Sequence, residues 1–141
     1  MRAPIISQKD RHIGEAYANY KRFLTLRANR DYQWAAILLF YSAIHLIDAC
    51  HAHYHPTERL NNHSERNDYV RYDEPKRIKR DYDYMYIVSI QLRYELQVAT
   101  TVDLDDFYKH FEIVQEHLRD QHNIAWQLPV VQAPVNRPTT P

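Results

Sequence analysis

Residues 34–50 read WAAILLFYSAIHLIDAC and are apolar almost all round. A helix that is buried on most sides needs such a sequence, so this segment predicts the central helix of a bundle. Asp31 lies just before it as a natural N-cap. We expect the helix to end near His53, because Pro56 lacks a backbone donor and keeps the preceding residue out of the helical region.

Four other segments show helical periodicity, over residues 8–28, 63–72, 75–100 and from 103 onward. Ser7, Asn62 and Asp103 are placed to cap three of them. The sequence therefore predicts an all-α, up-and-down helical bundle of four long helices and one short helix over residues 1–127. Four prolines and little periodicity over residues 128–141 indicate a disordered tail after Gln127.

The composition excludes several classes of protein. The chain has 141 residues, with 18 Lys and Arg against 18 Asp and Glu. One glycine excludes the Gly-rich loops that cradle phosphates in many nucleotide-binding proteins, and one cysteine excludes an intrachain disulfide and Cys-rich metal centres. Balanced charge argues against a strong nonspecific hold on nucleic acid. We expect a cytoplasmic protein without a membrane partner, since Ser42, His45 and Asp48 interrupt the most apolar run.

The short helix carries three residues suited to a phosphodiester. His63, Arg66 and Asn67 fall at i, i+3 and i+4 and so share one face. An arginine grips phosphate oxygens with its forked donors, a histidine moves a proton near neutral pH, and an amide positions a sugar or base. An exposed charged face, with Asn62 and His63 used for capping, explains the same residues and is the simpler alternative.

Two polar residues interrupt the central helix. His45 and Asp48 are three apart, so they can face the same side, and buried polar groups must find partners. A histidine satisfied by a neighbour in the core is the common explanation. If the short helix packs over the end of the central one, however, both residues point toward His63 and Arg66.

A histidine-rich stretch ends the central helix. His51 and His55 have the i, i+4 spacing of two metal ligands, with His53 between them. His55 precedes proline, which takes it off the helix, so we favour a solvated helix end. The sequence predicts no metal site and no cofactor.

Three stretches together resemble the HEPN superfamily of small helical bundles: FYSAIHLIDA at residues 40–49, His55-Pro56, and HSERN at residues 63–67. The resemblance implies a homodimer, and it implies that active members are metal-independent ribonucleases. Their motif is Arg, a polar residue that is often Asn, three variable residues and then His. Arg66 and Asn67 match its first half, but Arg71, followed by Tyr72, occupies the histidine position.

Two functions follow from the resemblance. The first is a non-catalytic module that binds a nucleotide or RNA and dimerises, within a toxin–antitoxin or defence system in which an antitoxin is a candidate partner. The alternative is a toxin-type ribonuclease. In it Arg66 stabilises the phosphate, Asn67 positions it, and His63 acts in place of the missing histidine. The candidate catalytic residues are thus His63, Arg66 and Asn67, and the candidate binding residues are His45, Asp48, Arg71 and Tyr72. A purely structural role is the third possibility.

Overall fold

The computed structural model describes residues 5–94 and 101–126. Within these residues the chain forms five α-helices, one short 3₁₀ helix and no β-strand. The helices are α1 (Gln8–Ala28), α2 (Tyr32–Tyr54), α3 (His63–Tyr72), α4 (Lys79–Tyr94) and α5 (Thr101–His122), with the 3₁₀ turn Lys76–Ile78 before α4. The predicted all-α helical bundle, with α3 as its short helix, is confirmed.

α2 lies at the centre of the bundle and contacts each of the other four helices. Its side chains are mostly buried, including those of Ile37, Phe40 and Ile47. By length and composition α2 could also cross a membrane, so the expectation that Ser42, His45 and Asp48 exclude such a span was wrong. In the bundle, 78% of its most apolar window is buried. A helix in the core of a bundle needs the same apolar composition as a membrane span, which explains why α2 is both apolar enough to cross a membrane and mostly buried.

α1 and α2 form an antiparallel hairpin with the two predicted N-caps in place. The backbone N–H of Asp10 donates to Ser7 Oγ at 3.1 Å, and that of Trp34 donates to an Asp31 carboxylate oxygen at 3.3 Å. In the middle of the hairpin, Ser42 Oγ donates to the carbonyl of Ala16 at 2.8 Å. This buried hydrogen bond fixes the register of the two helices.

α3 begins and ends where the sequence predicted. Asn62 accepts a hydrogen bond from the Glu65 backbone at 2.9 Å, and the Glu65 carboxylate accepts one from the Asn61 backbone at 2.8 Å. His55 is the C-cap of α2 and is off the helix, as expected before a proline. Val70 is fully buried and anchors α3 on the core.

Two predicted boundaries need correction. Pro75 does not open an α-helix directly, because hydrogen bonds from Lys76 to Asp73 and from Ile78 to Pro75 tighten the chain into a 3₁₀ turn first. Asp103 is not an N-cap, since α5 is already helical at Thr101 and Asp103 lies in its first turn, where a carboxylate also favours the helix dipole.

The end predicted at Thr100 for the fourth long helix, and the predicted tail from 128 to 141, lie outside the described residues.

Candidate ligand site

A buried ion pair joins α3 to α2. Arg66 donates from Nε to Asp48 Oδ1 at 2.8 Å and from Nη2 to Asp48 Oδ2 at 3.0 Å. The two residues are 7% and 8% exposed. Burial alone would lower the pKa of Arg66, but the hydrogen bonds and charge of Asp48 outweigh it and raise that pKa. The Arg66 guanidinium therefore stays charged, and the pair joins α3 to the C-terminal half of α2.

His63 lies on the outer side of this ion pair. Its Nδ1 is 3.2 Å from Arg66 Nη1 and accepts a hydrogen bond, because a guanidinium can only donate. The imidazole packs near the rings of Phe40 and Tyr86, with centroids 6.4 and 5.4 Å away. Burial, and then the Arg66 charge, lower the pKa of His63, so its ring is neutral at pH 7.

A pair of imidazoles lies on the α1 side of the ion pair. His12 and His45 place their Nδ1 atoms 3.0 Å apart. Burial is the largest cause that lowers the pKa of each ring, and for His45 the neighbouring His12 adds to it. Both rings are therefore available as neutral imidazoles at pH 7. Asp48 lies close by, and the three side chains bring one nitrogen or oxygen each to within 4.8 Å of one another.

The side chains described above form a continuous row that runs from α1 across α2 to α3. We call this row the polar row, and its members are His12, His45, Asp48, Arg66 and His63. The structure thus brings together four residues that the sequence pointed to, His45, Asp48, His63 and Arg66. It does so because α3 packs over α2, which is the arrangement on which the prediction depended.

A cavity of about 310 Å³ opens beside the polar row, between the start of α1, the end of α2 and the loop before α3. His12 and Asp48 contribute to its wall. The other lining residues are mostly polar: Gln8, Arg11, His51, Ala52, Glu58, Arg59, Leu60 and Asn61. Since Asp48 is paired with Arg66, the cavity offers the two guanidinium groups of Arg11 and Arg59 against one further carboxylate, that of Glu58, which favours an anionic ligand.

Of the seven residues predicted for the site, Asp48 is the one that lines this cavity. His45, His63 and Arg66 belong to the polar row beside it, and the other three, Asn67, Arg71 and Tyr72, lie outside the row. Asn67 accepts a hydrogen bond from Tyr82 Oη at 2.6 Å, which ties α3 to α4 and occupies its side-chain carbonyl. Arg71 and Tyr72 are exposed at the end of α3, where the guanidinium lies 5.9 Å from the Tyr72 ring centre. The structure does not bring these two residues to the polar row.

The histidine-rich end of α2 is held by two separate carboxylates. His55 Nε2 lies 3.1 Å from Glu74, which also accepts a hydrogen bond from Tyr69 Oη at 2.7 Å. His51 Nε2 lies 3.8 Å from Glu58. Within residues 5–94 and 101–126, neither histidine belongs to a group of three potential metal ligands.

A larger groove of about 620 Å³ runs along α1 and α2, lined by Ala18, Lys21, Arg22, Thr25, Leu26 and Leu38. Its two cations are engaged by neighbouring side chains, since Arg22 Nη1 donates to Asn19 Oδ1 at 3.2 Å and Lys21 Nζ lies 4.7 Å from the centre of the Tyr17 ring. The smaller cavity adjoins the polar row and carries amide groups as well as guanidinium groups, so it is the better candidate site.

His12, Arg11 and Arg59 were not predicted for the site from the sequence. The short connection between α1 and α2 indicated that His12 could reach α2. In the antiparallel hairpin Ala16 contacts Ser42, and one helical turn further along each helix His12 faces His45. Arg59 lies in the irregular segment before α3, where no periodicity indicates which way a side chain points.

Comparison with protein-family models, with curated proteins and with solved structures finds no match for this chain. Membership of the HEPN superfamily therefore stays a prediction that rests on the residues quoted above.

Proposed function

We propose that this chain is a HEPN-like helical module that binds a phosphate-bearing ligand, a nucleotide or RNA, without cleaving it. The observation that carries the proposal is the 310 Å³ cavity with Arg11 and Arg59 in its wall, beside the buried Asp48–Arg66 pair.

The charges of the cavity suit a phosphate. Arg11 and Arg59 are exposed, so they can turn their guanidinium forks toward a ligand, and such forks bind phosphate oxygens in pairs. Gln8 and Asn61 add amide groups to the same wall. The volume lies at the lower end of the range for small-molecule sites, which suits one nucleotide unit.

The arrangement of Arg66 supports binding without cleavage. Nε and Nη2 both donate to Asp48, so the guanidinium fork is occupied and its charge is balanced before any ligand arrives. The residue at the family's histidine position, Arg71, is exposed and away from the polar row. Neither residue is placed as a cleaving site requires.

The ribonuclease alternative has one observation in its favour. His63 Nδ1 lies 3.2 Å from Arg66 Nη1, and the lowered pKa of His63 leaves its ring neutral at pH 7, the form a general base needs. In this alternative the His63 ring first releases its hydrogen bond from Arg66 Nη1, because Nδ1 is its unprotonated nitrogen. Nδ1 then takes the proton from a ribose hydroxyl, and Nη1 of Arg66 contacts the phosphate.

We extend the proposal to a homodimer and to a protein partner such as an antitoxin, as the resemblance implies. Trp34 is 48% exposed and Tyr94 is 71% exposed. Trp34 lies at the start of α2 and Tyr94 at the end of α4, and Gln33 Nε2 joins these two helix ends by donating to the carbonyl of Leu92 at 2.7 Å. Exposed aromatic side chains of this kind are enriched at protein interfaces.

Fluorescence anisotropy with a labelled single-stranded RNA, in EDTA and at fixed salt, tests the proposal, with AMP as competitor. Arg59→Ala should weaken binding about tenfold, because a hydrogen bond to a charged group contributes about 1.5 kcal/mol or more. Arg80→Ala, at an exposed arginine of α4 outside the cavity, is the matched control and should bind like the wild type.

Equal binding by the wild type and Arg59→Ala, or no binding by the wild type, would overturn the proposal. Cleavage of the RNA by the wild type that is lost in His63→Gln would establish the alternative in its place.

A further inference from the structure

We propose that His12, His45 and Asp48 bind a divalent transition-metal ion, for which Zn²⁺ is the natural probe. The proposal does not depend on nucleotide or RNA binding. Among the described residues, this is the one place where three potential ligands converge, each within 4.8 Å of the others.

The distance between the two imidazole nitrogens is close to the one that a metal centre requires. Imidazole nitrogens bind Zn²⁺ at about 2.0–2.1 Å, so two such ligands in a tetrahedral site lie about 3.3 Å apart. His12 Nδ1 and His45 Nδ1 lie 3.0 Å apart. A small rotation of either ring would admit the ion between them.

The backbone holds the three ligands in place. His45 and Asp48 are three residues apart on α2, so they share one face, and His12 comes from the adjacent turn of α1. The buried hydrogen bond from Ser42 to Ala16 fixes the register of the two helices one turn away. The ligand set of two imidazoles and one carboxylate is therefore built on rigid helices.

The ion pair with Arg66 is compatible with this role. Each carboxylate oxygen of Asp48 has a second lone pair that the guanidinium does not use. Carboxylates that bind metals are commonly held in orientation by such hydrogen bonds, so Arg66 would act as a positioning residue for Asp48. Its positive charge weakens the site, and the nearby carboxylate of Glu15 opposes that effect at His45.

The position of the site also leaves room for another ligand. His12 and Asp48 both line the 310 Å³ cavity, so a metal ion bound by three protein ligands would have its fourth position close to that space. Water, or an oxygen of an anionic molecule, would occupy it.

A competing explanation is that the two rings share one N–H···N hydrogen bond and bind no ion. Isothermal titration calorimetry with Zn²⁺, on untagged protein that has been stripped of metal, separates the two. The proposal predicts one Zn²⁺ per chain in the wild type. It also predicts that Co²⁺ bound at the same site gives visible d–d absorption, and that this absorption is lost when Zn²⁺ displaces the Co²⁺.

Two variants make the test specific to these residues. His12→Ala should weaken Zn²⁺ binding by at least about 10-fold. His122→Ala, which removes one ring of the His117–His122 pair, should leave Zn²⁺ binding unchanged. Circular dichroism verifies that both variants are folded, and His12→Gln serves if the alanine variant is not.

Absence of stoichiometric Zn²⁺ binding by the wild type, or equal affinity in the wild type and His12→Ala, would overturn the proposal. RNA binding measured in EDTA is independent of this result, so a failure here is distinguishable from a failure of the proposed function.

Discussion

Among the described residues, two pairs of histidines have ring nitrogens within hydrogen-bond distance of each other, and these pairs differ in what surrounds them. His12 and His45 face each other at 3.0 Å between α1 and α2, whereas His117 and His122 face each other at 3.2 Å at the end of α5. The first pair adjoins a buried ion pair and a cavity. The second contacts Tyr54, whose Oη lies 2.8 Å from His122 Nδ1, and within residues 5–94 and 101–126 it joins no group of three potential metal ligands. A pair of histidines becomes a candidate site only when a buried carboxylate and an accessible cavity accompany it.

Breaking the ion pair beside the first imidazole pair should give the largest loss in the free energy of unfolding. Arg66→Ala leaves Asp48 buried without its partner, and such changes lower the free energy of unfolding by about 3–5 kcal/mol. Urea denaturation followed by circular dichroism measures this. Arg119→Ala removes the arginine of an exposed ion pair near the second imidazole pair and should leave the urea midpoint unchanged.

Equal urea midpoints for Arg66→Ala and Arg119→Ala would contradict this account of the first region. Because Arg66→Ala is expected to destabilise the fold, weaker ligand binding by that variant could result from unfolding. Ligand binding is therefore tested with Arg59→Ala, at an exposed residue.

Acid should also lower the stability of the fold, by a smaller amount. Burial is the main cause that lowers the pKa of His63, His117 and His122 below the ordinary 6.5. The unfolded chain therefore binds more protons than the folded one as the pH falls through 6.5, so stability should drop below that pH and be regained above it. Thermal unfolding between pH 7.5 and 5.5, with EDTA present, measures the trend.

His63→Gln should make this pH dependence shallower, because it removes one of the groups that must stay neutral in the fold. A melting temperature that is constant or rises toward pH 5.5 in the wild type would contradict the expectation.

Much of the fold could be predicted because helix signals are local. The caps at Ser7, Asp31 and Asn62 and the apolar run of α2 each lie within a few residues of what they determine. The first turn of α4 was harder, because hydrogen bonds around Pro75 choose between 3₁₀ and α geometry without a clear mark in the sequence.

The candidate site was only partly predictable, because it depends on contacts between helices. Asp48 and Arg66 could be paired by assuming that α3 covers α2, since buried charges need partners. Asn67 was predicted to position the ligand, but its side-chain carbonyl accepts a hydrogen bond from Tyr82 of α4. No local sequence pattern indicates that contact. His12 required the register of the α1–α2 hairpin, and Arg59 required the path of a loop.

The central claim is that the cavity beside the polar row, and not the second imidazole pair, binds a phosphate-bearing ligand. The most direct test is a titration of ¹⁵N-labelled protein with AMP in EDTA, followed by two-dimensional NMR. The account predicts that the backbone signals of His51, Arg59 and Asn61 shift with AMP concentration while those of His117 and His122 stay in place. Shifts confined to His117 and His122, or no shifts at all, would contradict it.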